Sequence, residues 1–478
     1  GEMTMGSQEH FYMEPQSCIA VLIGEAGEID IITSKQCLNA AQTSISQMLG
    51  IPKNRVRCHV KRIGGGFGGK ESCAEHVSTV AALAATKFNR PTRLILDRET
   101  DMIKTGKRTK FHAKYKVGCN KEGKILAHEV KLYADSGFFS RFNEHCMGFH
   151  LLFLVCDQGY AFGNVKVTGY ICETNTNMGI PMRGALTIPP LVFTQALVND
   201  VAFRLDLPIE QVHEVNMLKI GDKTPLGREL PDVHTMHTCW LRCLESSKYM
   251  KKRKIVEDYN RKSKWNKRGL YITPVTRDVG TPNRVWWQGA ALVNIYTDGS
   301  VWVSHGGIEM GQGLHTKLIQ VASKVLQVPQ DNIHITETST DCVPNATFTA
   351  GSTGSDIFGM AVKDACEKLI QRLAPYKASS PKGQWKDWVL ASYNDCTSLS
   401  ATGFYRHPKE YNWDLDKPRE GNFDKYYVYV AVAVEVEVDC LTGAHKVIQV
   451  DGVMDFGRSL DPTIDIGQME GAFIMVIQ

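Results

Sequence analysis

Alternating apolar and polar residues along the chain predict a series of β-strands, several of which are joined in pairs by short turns. The turns fall at 120–123 in the first half of the chain and at 297–300 and 441–444 in the second half. The predicted strands cover 55–63, 92–96, 111–118, 124–133, 290–296, 301–305, 427–439 and 446–454.

Apolar residues at helical spacing predict helices between these strands. In the segment 74–88, Val77, Val80, Ala81 and Leu83 fall on the side expected to face a core. The other predicted helices cover 189–203, 208–218, 236–246 and 317–326. Hairpin-rich sheets with interspersed helices indicate an α+β fold of two mixed domains, and they argue against a doubly wound parallel sheet.

A chain of 478 residues exceeds the length at which one hydrophobic core stops growing, so two domains are expected. We place them at 1–247 and 269–478, because each contains a strand, a glycine-rich loop and a helix in that order. The basic segment 248–268 between them is predicted to be a solvated linker helix, since Ile255 and Trp265 interrupt its charge. A nucleic-acid-binding or import signal is the alternative for this segment.

Composition places the chain among soluble globular proteins, with 43% hydrophobic and 22% charged residues. A net charge of +4 is too small to predict a nucleic-acid or membrane partner. The longest apolar run, at 149–156, is far too short to cross a bilayer. The 14 cysteines form no C-x-x-C pair and no signal peptide is visible, so we expect reduced thiols and a cytoplasmic location.

Residues 62–71, R-I-G-G-G-F-G-G-K-E, fit two phosphate-binding patterns at once. A P-loop would need Ser or Thr after Lys70 to bind magnesium, and Glu71 stands there instead. A dinucleotide site would need an acid about 20 residues past the glycines, whereas Asp97 lies 28 positions after Gly69. The P-loop is disfavoured, and the dinucleotide site stays open as an alternative.

Five glycines within 64–69 leave this loop almost entirely backbone. They either permit a tight turn or let backbone N–H groups approach an oxygen-rich anion at the start of a helix. A second loop of the same design, H-G-G-I-E-M-G-Q-G-L-H, lies at 305–315. Two such loops in two halves indicate one large, polar cofactor between the domains.

Together the two loops resemble the molybdenum-cofactor region of the xanthine dehydrogenase and aldehyde oxidase family. The resemblance extends in family order over nearly the whole chain, through the segments 6–14, 398–406, 435–443 and 464–473. Their sequences are G-S-Q-E-H-F-Y-M-E, S-L-S-A-T-G-F-Y-R, E-V-E-V-D-C-L-T-G and I-D-I-G-Q-M-E-G-A-F. The resemblance implies that both loops contact molybdopterin, not a nucleotide, in a cleft between the two domains.

The resemblance also implies which residues hold this cofactor, whose metal is bound by the pterin dithiolene and by no side chain. Gln36, in T-S-K-Q, would hydrogen-bond an oxygen on molybdenum. Phe67 and Gly68 would direct backbone N–H groups at the metal centre. The residues that would hold the pterin are Arg183, Gly311, Gln312 and Gln468.

On the substrate side the chain both matches the family and departs from it. Glu71 matches the acid that orients purines in xanthine-type members. Ala185, in P-M-R-G-A-L-T-I-P-P, stands where the family has an aromatic ring that packs on the substrate. Leu151 takes the position of a second substrate arginine, and Thr281 that of the other sandwiching phenylalanine. No G-E-P-P occurs, so the family's glutamate base would lie beyond Gln478, and we expect the second domain to be truncated at its C-terminus.

The resemblance implies a parent protein that hydroxylates purines, N-heterocycles or aldehydes with oxygen derived from water. Electrons would leave through 2Fe-2S clusters to FAD, on domains outside this chain, and a homodimer is expected. An inactive homologue that serves as a binding or structural protein is the alternative. Bound molybdenum would favour the enzyme, and bound nicotinamide nucleotide would favour the dinucleotide site.

Overall fold

The computed structural model describes residues 1–71, 75–138, 159–185, 187–225, 227, 229–279, 284–407 and 426–477. This part of the chain forms sixteen strands and eleven helices in mixed sheets, which confirms the predicted α+β class. The strands are β1 (Glu2–Met5), β2 (Ser17–Ile23), β3 (Glu28–Thr33), β4 (Val56–Val60), β5 (Thr92–Ile95), β6 (Phe111–Cys119), β7 (Ile125–Gly137), β8 (Asn164–Glu173), β9 (Asn266–Asp278), β10 (Gln288–Ile295), β11 (Val301–His305), β12 (Ile333–His334), β13 (Thr338–Ser339), β14 (Ser400–Arg406), β15 (Tyr427–Asp439) and β16 (His445–Asp455). The helices are α1 (Leu38–Leu49), α2 (Glu75–Phe88), α3 (Arg98–Lys104), α4 (Ile188–Leu205), α5 (Ile209–Asn216), α6 (Val233–Ser246), α7 (Tyr249–Lys262), α8 (Leu314–Leu326), α9 (Gly354–Ser379), α10 (Trp385–Asn394) and α11 (Pro462–Ile477).

The first glycine-rich loop lies between a five-stranded sheet and one of the helices that cover it. The sheet has the strand order β13-β4-β3-β2-β5, and α1 and α2 pack on one face through buried residues such as Ala41 and Ala81. The loop leaves β4 and leads towards α2. Strand β13 comes from the second half of the chain and pairs antiparallel with β4, with Thr338 opposite Val60. The second half therefore reaches to the base of the first loop.

The second glycine-rich loop leaves the sheet of strand order β12-β11-β10-β14 and leads into α8. This sheet, α8 and α9 share one buried cluster. Strand β14 approaches α9 so closely that a Cβ atom on Gly403 would lie 1.9 Å from the carbonyl oxygen of Ala361. Since that oxygen belongs to the helix backbone, only glycine fits at this position.

A third sheet, of strand order β16-β15-β9, packs against helices of the first half. Ile272 and Ala431 of this sheet lie in one buried cluster with Val212 of α5 and Trp240 of α6. Helix α7 occupies most of the segment 248–268, where the basic linker helix was predicted. The division of the chain into two domains around this helix stays a prediction.

All three hairpins predicted from the sequence are present, as the antiparallel pairs β6–β7, β10–β11 and β15–β16. Strand β7 continues to Gly137, beyond its predicted end at 133, because β8 pairs with it in parallel and extends the ladder. These strands complete the sheet of order β1-β6-β7-β8. None of the described helices combines the length and apolar character that a membrane span requires.

Candidate functional site

The two glycine-rich loops, far apart in sequence, are in direct contact. The backbone N–H of Ile63 in the first loop donates to the carbonyl oxygen of Glu309 in the second, at 2.9 Å. A third segment joins them, because the hydroxyl of Thr349 accepts the N–H of Ile308 at 2.9 Å. The backbone N–H of Thr349 also donates to the carbonyl of Gln36 at 2.9 Å. The loops and the segment around residue 349 therefore form one site.

Gln36 bridges the first loop and this third segment. Its backbone N–H donates to the carbonyl of Lys70 at 2.8 Å. Its side-chain oxygen accepts the N–H of Gly68 at 2.9 Å, and its Nε2 donates to the carbonyl of Thr349 at 3.0 Å. The side chain is buried, with 3% of its surface exposed. The oxygen of the amide therefore binds the first loop, and its NH₂ group binds the segment around residue 349.

The first loop has a backbone shape that side chains would prevent. Gly68 has φ +103°, and a Cβ atom there would lie 2.3 Å from the carbonyl oxygen of Pro181. A Cβ atom on Gly66 would lie 2.6 Å from the side-chain oxygen of Gln36. The N–H groups of Gly66 and Phe67 donate to no described residue. Two backbone donors thus remain for a ligand, and the crowded glycines fix their direction.

Arg183 joins this loop to the C-terminal helix α11. Its backbone N–H donates to the carbonyl of Phe67 at 2.8 Å. Its guanidinium donates from Nη2 to both the carbonyl oxygen and the side-chain oxygen of Gln468, at 2.7 and 3.1 Å. Burial, and then the nearby charge of Arg277, lower the pKa of the Arg183 guanidinium. Such a desolvated cation favours an anionic ligand.

Two buried cations beside this site had not been predicted from the sequence. Arg108 donates from Nη2 to the carbonyl of Arg183 at 2.7 Å, and its Nη1 is buried without a partner among the described residues. Burial lowers its pKa to about 10. The ammonium of Lys70 is buried 4.5 Å from the ring centre of Tyr12, and burial lowers its pKa to about 8. Lys70 belongs to the glycine-rich motif and Arg108 to no motif, but the burial of both depends on distant segments and has no local signal.

The second loop is organised around the Glu309 carboxylate. One oxygen accepts the N–H groups of Gly311 and Gly313 at 2.8 and 3.1 Å, and the other accepts the N–H of His315 at 2.9 Å. The side chain of Gln312 also turns inward, accepting from Met310 N–H at 2.7 Å and donating to the Ile308 carbonyl at 2.8 Å. Gly311 has φ +99°, and no atom lies within 4 Å of the position of a Cβ atom there. The loop therefore leaves open space at Gly311.

A third backbone element, also missed from the sequence, begins beside the second loop. Gly351 and Ser352 have φ +64° and +61° and precede α9, whose N-cap residue makes no side-chain capping bond. A Cβ atom on Gly354, the first residue of α9, would lie 3.8 Å from a methyl carbon of Leu314, the first residue of α8. Two helices thus begin side by side. The first N–H groups of α8 donate to the Glu309 carboxylate, so the positive N-terminus of α9 is the one that suits an anion.

Helix α11 closes the arrangement from the side of the second loop. A Cβ atom on Gly313 would lie 2.3 Å from a methyl carbon of Ile464 in α11, so the loop packs directly on that helix. Gln8 makes a separate contact between the first half of the chain and α11. Its oxygen accepts from Arg108 Nε at 3.0 Å, and its Nε2 donates to the carbonyl of Met475 at 3.1 Å. Gln468 is therefore held near both loops.

Of the residues predicted to line a substrate pocket, Glu71 and Ala185 lie within the described residues. Glu71 ends the first loop and donates its N–H to the carbonyl of Gly68 at 3.2 Å. Burial, and then the charge of Glu75, raise the pKa of its carboxyl from 4.5 to about 8. Ala185 is half-buried two residues after Arg183. Leu151, Thr281 and Gln478 lie outside the described residues.

Asp97, the acid that a dinucleotide site would require, has a different role. Its carboxylate accepts the backbone N–H of Thr100 at 2.7 Å and the hydroxyl of the same residue at 2.9 Å. It is therefore the N-cap of α3. The carboxylate that a dinucleotide site would need is thus already hydrogen-bonded to the first turn of α3.

The donors of the site fit an anionic, oxygen-rich cofactor such as molybdopterin. They comprise the free backbone N–H groups of Gly66 and Phe67 on a crowded glycine loop, the N-terminus of α9 and the desolvated guanidinium of Arg183. Adding a β-carbon at Gly66 or Gly68 would fill the cradle. A ligand with phosphate or carbonyl oxygens would supply the acceptors that these groups lack.

Comparison with known protein families agrees with this fit. Two family models, both described as a molybdopterin cofactor-binding domain, match residues 1–217 and 242–477. Between them they cover both glycine-rich loops, Arg183 and Gln468. Molybdenum bound to molybdopterin is accordingly the cofactor of this region.

Curated relatives extend the similarity over the whole chain. The xanthine dehydrogenase/oxidase of Gallus gallus is 45% identical over 478 residues, which are 100% of this chain and 35% of that protein. The aldehyde oxidase 3 of Rattus norvegicus is 45% identical over 475 residues, which are 99% of this chain and 35% of that protein. The chain thus spans about a third of the length of these relatives.

Solved structures show the same fold at lower identity. The aldehyde oxidoreductase from Desulfovibrio gigas matches 98% of this chain and 50% of its own, with a TM-score of 0.82 and 22% identity. The CO dehydrogenase from Oligotropha carboxidovorans matches 98% of this chain and 62% of its own, with a TM-score of 0.84 and 21% identity. Family models, relatives and the geometry of the site agree, and the chain belongs to the xanthine dehydrogenase and aldehyde oxidase family as a molybdopterin cofactor-binding region.

Proposed function

We propose that the full-length protein containing this chain is a molybdenum hydroxylase that oxidises purines, N-heterocycles or aldehydes, with oxygen derived from water. The observation that carries this proposal is the convergence of Gln36, the first loop, the Arg183–Gln468 pair and the second loop on one site. Relatives that are 45% identical over the whole chain are a xanthine dehydrogenase/oxidase and an aldehyde oxidase.

In this proposal each part of the site has one task. The first loop at Phe67 and Gly68 faces the metal end of the cofactor, with the N–H of Phe67 free for a ligand and the N–H of Gly68 held by the side chain of Gln36. Arg183 and Gln468, with Gly311 and Gln312 in the second loop, hold the pterin. When bound, the cofactor supplies the two-electron oxidation of an electron-poor carbon. This chain's own residues orient cofactor and substrate, and the glutamate base would come from beyond Gln478.

Glu71 would orient the substrate by donating a hydrogen bond. A carboxyl with a pKa near 8 holds its proton at pH 7, so it presents one donor and one acceptor. A ring nitrogen or a carbonyl oxygen of a heterocycle fits that donor. A neutral carboxyl would repel anionic substrates less than a carboxylate would. The site would therefore accept a wider range of heterocycles.

We propose that the pocket suits a bulkier or less planar substrate than xanthine. Ala185 offers no ring for stacking, and Thr281 would offer none on the opposite side. Each lost ring contributes about 0.5–1.5 kcal/mol beyond burial, so two together cost about one to two decades of affinity. Leu151 in place of an arginine removes a further charge-assisted bond, typically about 1.5–3 kcal/mol. We therefore expect weak xanthine turnover.

The same substitutions favour the second candidate, a homologue without catalysis that serves as a binding or structural protein. Under either candidate we propose a cytoplasmic homodimer whose FAD and 2Fe-2S domains lie outside this chain. Only the enzymatic candidate predicts a role in purine catabolism.

Molybdenum and pterin analysis of full-length protein from its native source, followed by steady-state assays, tests these proposals. We expect about one molybdenum per chain and turnover with an N-heterocycle or an aromatic aldehyde. Turnover of neither, with full cofactor content, would support the non-catalytic candidate. Xanthine kinetics typical of an efficient enzyme would show that the argument from the pocket is wrong. The 478-residue chain alone, given cofactor, should hydroxylate neither class, since loss of the base costs a factor of about 10²–10⁴.

A further inference from the structure

Glu309 is a buried acid with an unusual set of partners. It lies within the second glycine-rich loop, and 9% of its surface is exposed. Its two carboxylate oxygens accept the backbone N–H groups of Gly311, Gly313 and His315, at 2.8, 3.1 and 2.9 Å. No ion pair joins it to any described Lys or Arg. Its charge is therefore balanced mainly by backbone donors.

Those donors are ones that the chain cannot satisfy locally. Gly313 is the N-cap of α8 and His315 lies in its first turn, where N–H groups have no partner inside the helix. Gly311 has φ +99° and Gly313 has φ +73°, so neither sits in regular structure. A carboxylate at a helix N-terminus is favoured by the helix dipole. One side chain thus satisfies the donors on the inner side of the loop.

The histidines beside this carboxylate do not serve as its counter-ions. Burial lowers the pKa of His315, although the charge of Glu309 opposes this effect. Burial also lowers the pKa of His305, whose ring centre lies 5.0 Å from that of His315. Both imidazoles are consequently neutral at pH 7. The positive charge of Arg62, in the first loop, also lowers the pKa of His315.

We propose that Glu309 is a positioning residue, which holds the second loop in its cofactor-binding shape before the cofactor arrives. With the inner donors bound to Glu309, the N–H of Gln312 has no partner among the described residues and lies next to the open space at Gly311. Binding then needs no ordering of the loop, which raises the affinity. This inference rests on the proposed role of Gly311 and Gln312 in holding the pterin.

The test uses full-length protein carrying Glu309→Gln, with Glu309→Ala as a second variant. A glutamine has one acceptor oxygen, and its NH₂ group would face the N–H of either His315 or the two glycines. At least one backbone donor therefore loses its partner. Glu470→Gln is the control, because it makes the same substitution at a glutamate that lies exposed in α11.

Two measurements decide the outcome. Hydrogen exchange of peptides covering 306–316, in cofactor-free protein, should be at least tenfold faster in Glu309→Gln than in wild type and unchanged in Glu470→Gln. The affinity of cofactor-free protein for molybdopterin should also fall at least tenfold, equivalent to about 1.4 kcal/mol, while hydrogen exchange in helix α10 stays unchanged. Both effects should be larger in Glu309→Ala than in Glu309→Gln.

Wild-type exchange at 306–316 in both Glu309 variants would overturn the inference, whatever the cofactor content. Faster exchange with unchanged affinity would also overturn it, because the order of the free loop would then make no difference to binding. If wild-type protein binds no molybdopterin, the proposed function fails, and the exchange measurement still decides whether Glu309 shapes the loop.

Discussion

Replacing Gly68 by alanine separates two reasons for glycine in the first loop. An alanine at φ +103° costs about 1–2 kcal/mol in backbone strain. Its Cβ atom would also lie 2.3 Å from the carbonyl oxygen of Pro181, and overpacking of this kind costs a further ~1–3 kcal/mol. The contact cannot be relieved by rotating a side chain. The segment 181–183 must move, and with it Arg183.

Gly221→Ala supplies a matched control, because Gly221 has φ +87° and no atom lies within 4 Å of the position that a Cβ atom would take there. This variant carries the strain without the clash, and residue 221 lies outside both loops. The clash alone should reduce the population of the binding-competent first loop by a factor of about 5–150.

The assay is molybdenum content per chain after gel filtration of full-length protein, with the apparent melting midpoint measured in parallel. We expect Gly68→Ala to lose most of its molybdenum and Gly221→Ala to keep it. Equal molybdenum content in the two variants would refute the argument that close backbone approach, and not strain, makes glycine necessary here.

Three further predictions concern other residues of the site. Gly66→Val and Gly311→Val should each abolish cofactor retention in a folded protein; normal molybdenum occupancy in both would contradict the assignment of the loops. Glu71 has a folded-state pKa of about 8 against 4.5, so its contribution to stability is complete below pH 4.5 and is lost as pH rises through 8. The melting midpoint should therefore fall less steeply between pH 4.5 and pH 8 in Glu71→Gln than in wild type. An unchanged slope would contradict a raised pKa. Arg183→Lys should release cofactor at least tenfold faster, because an ammonium cannot reproduce the guanidinium bonds to both oxygens of Gln468; equal release rates would show that charge alone suffices.

Much of the fold could be predicted from local patterns. The hairpins β6–β7, β10–β11 and β15–β16 follow from alternation and turn residues, which act over a few positions. The two glycine-rich loops were visible for the same reason, since glycine has a local conformational meaning. Strand β13 was not predicted, because two residues paired with β4 carry no periodicity of their own.

Local patterns specify the elements and, through the motifs, the family and the cofactor, but they do not specify which side chains meet. The hydrogen bond from Gln36 to Thr349 spans 313 positions and that from Arg183 to Gln468 spans 285. Such contacts depend on how sheets and helices pack, and packing brings together residues whose spacing along the chain has no regular period.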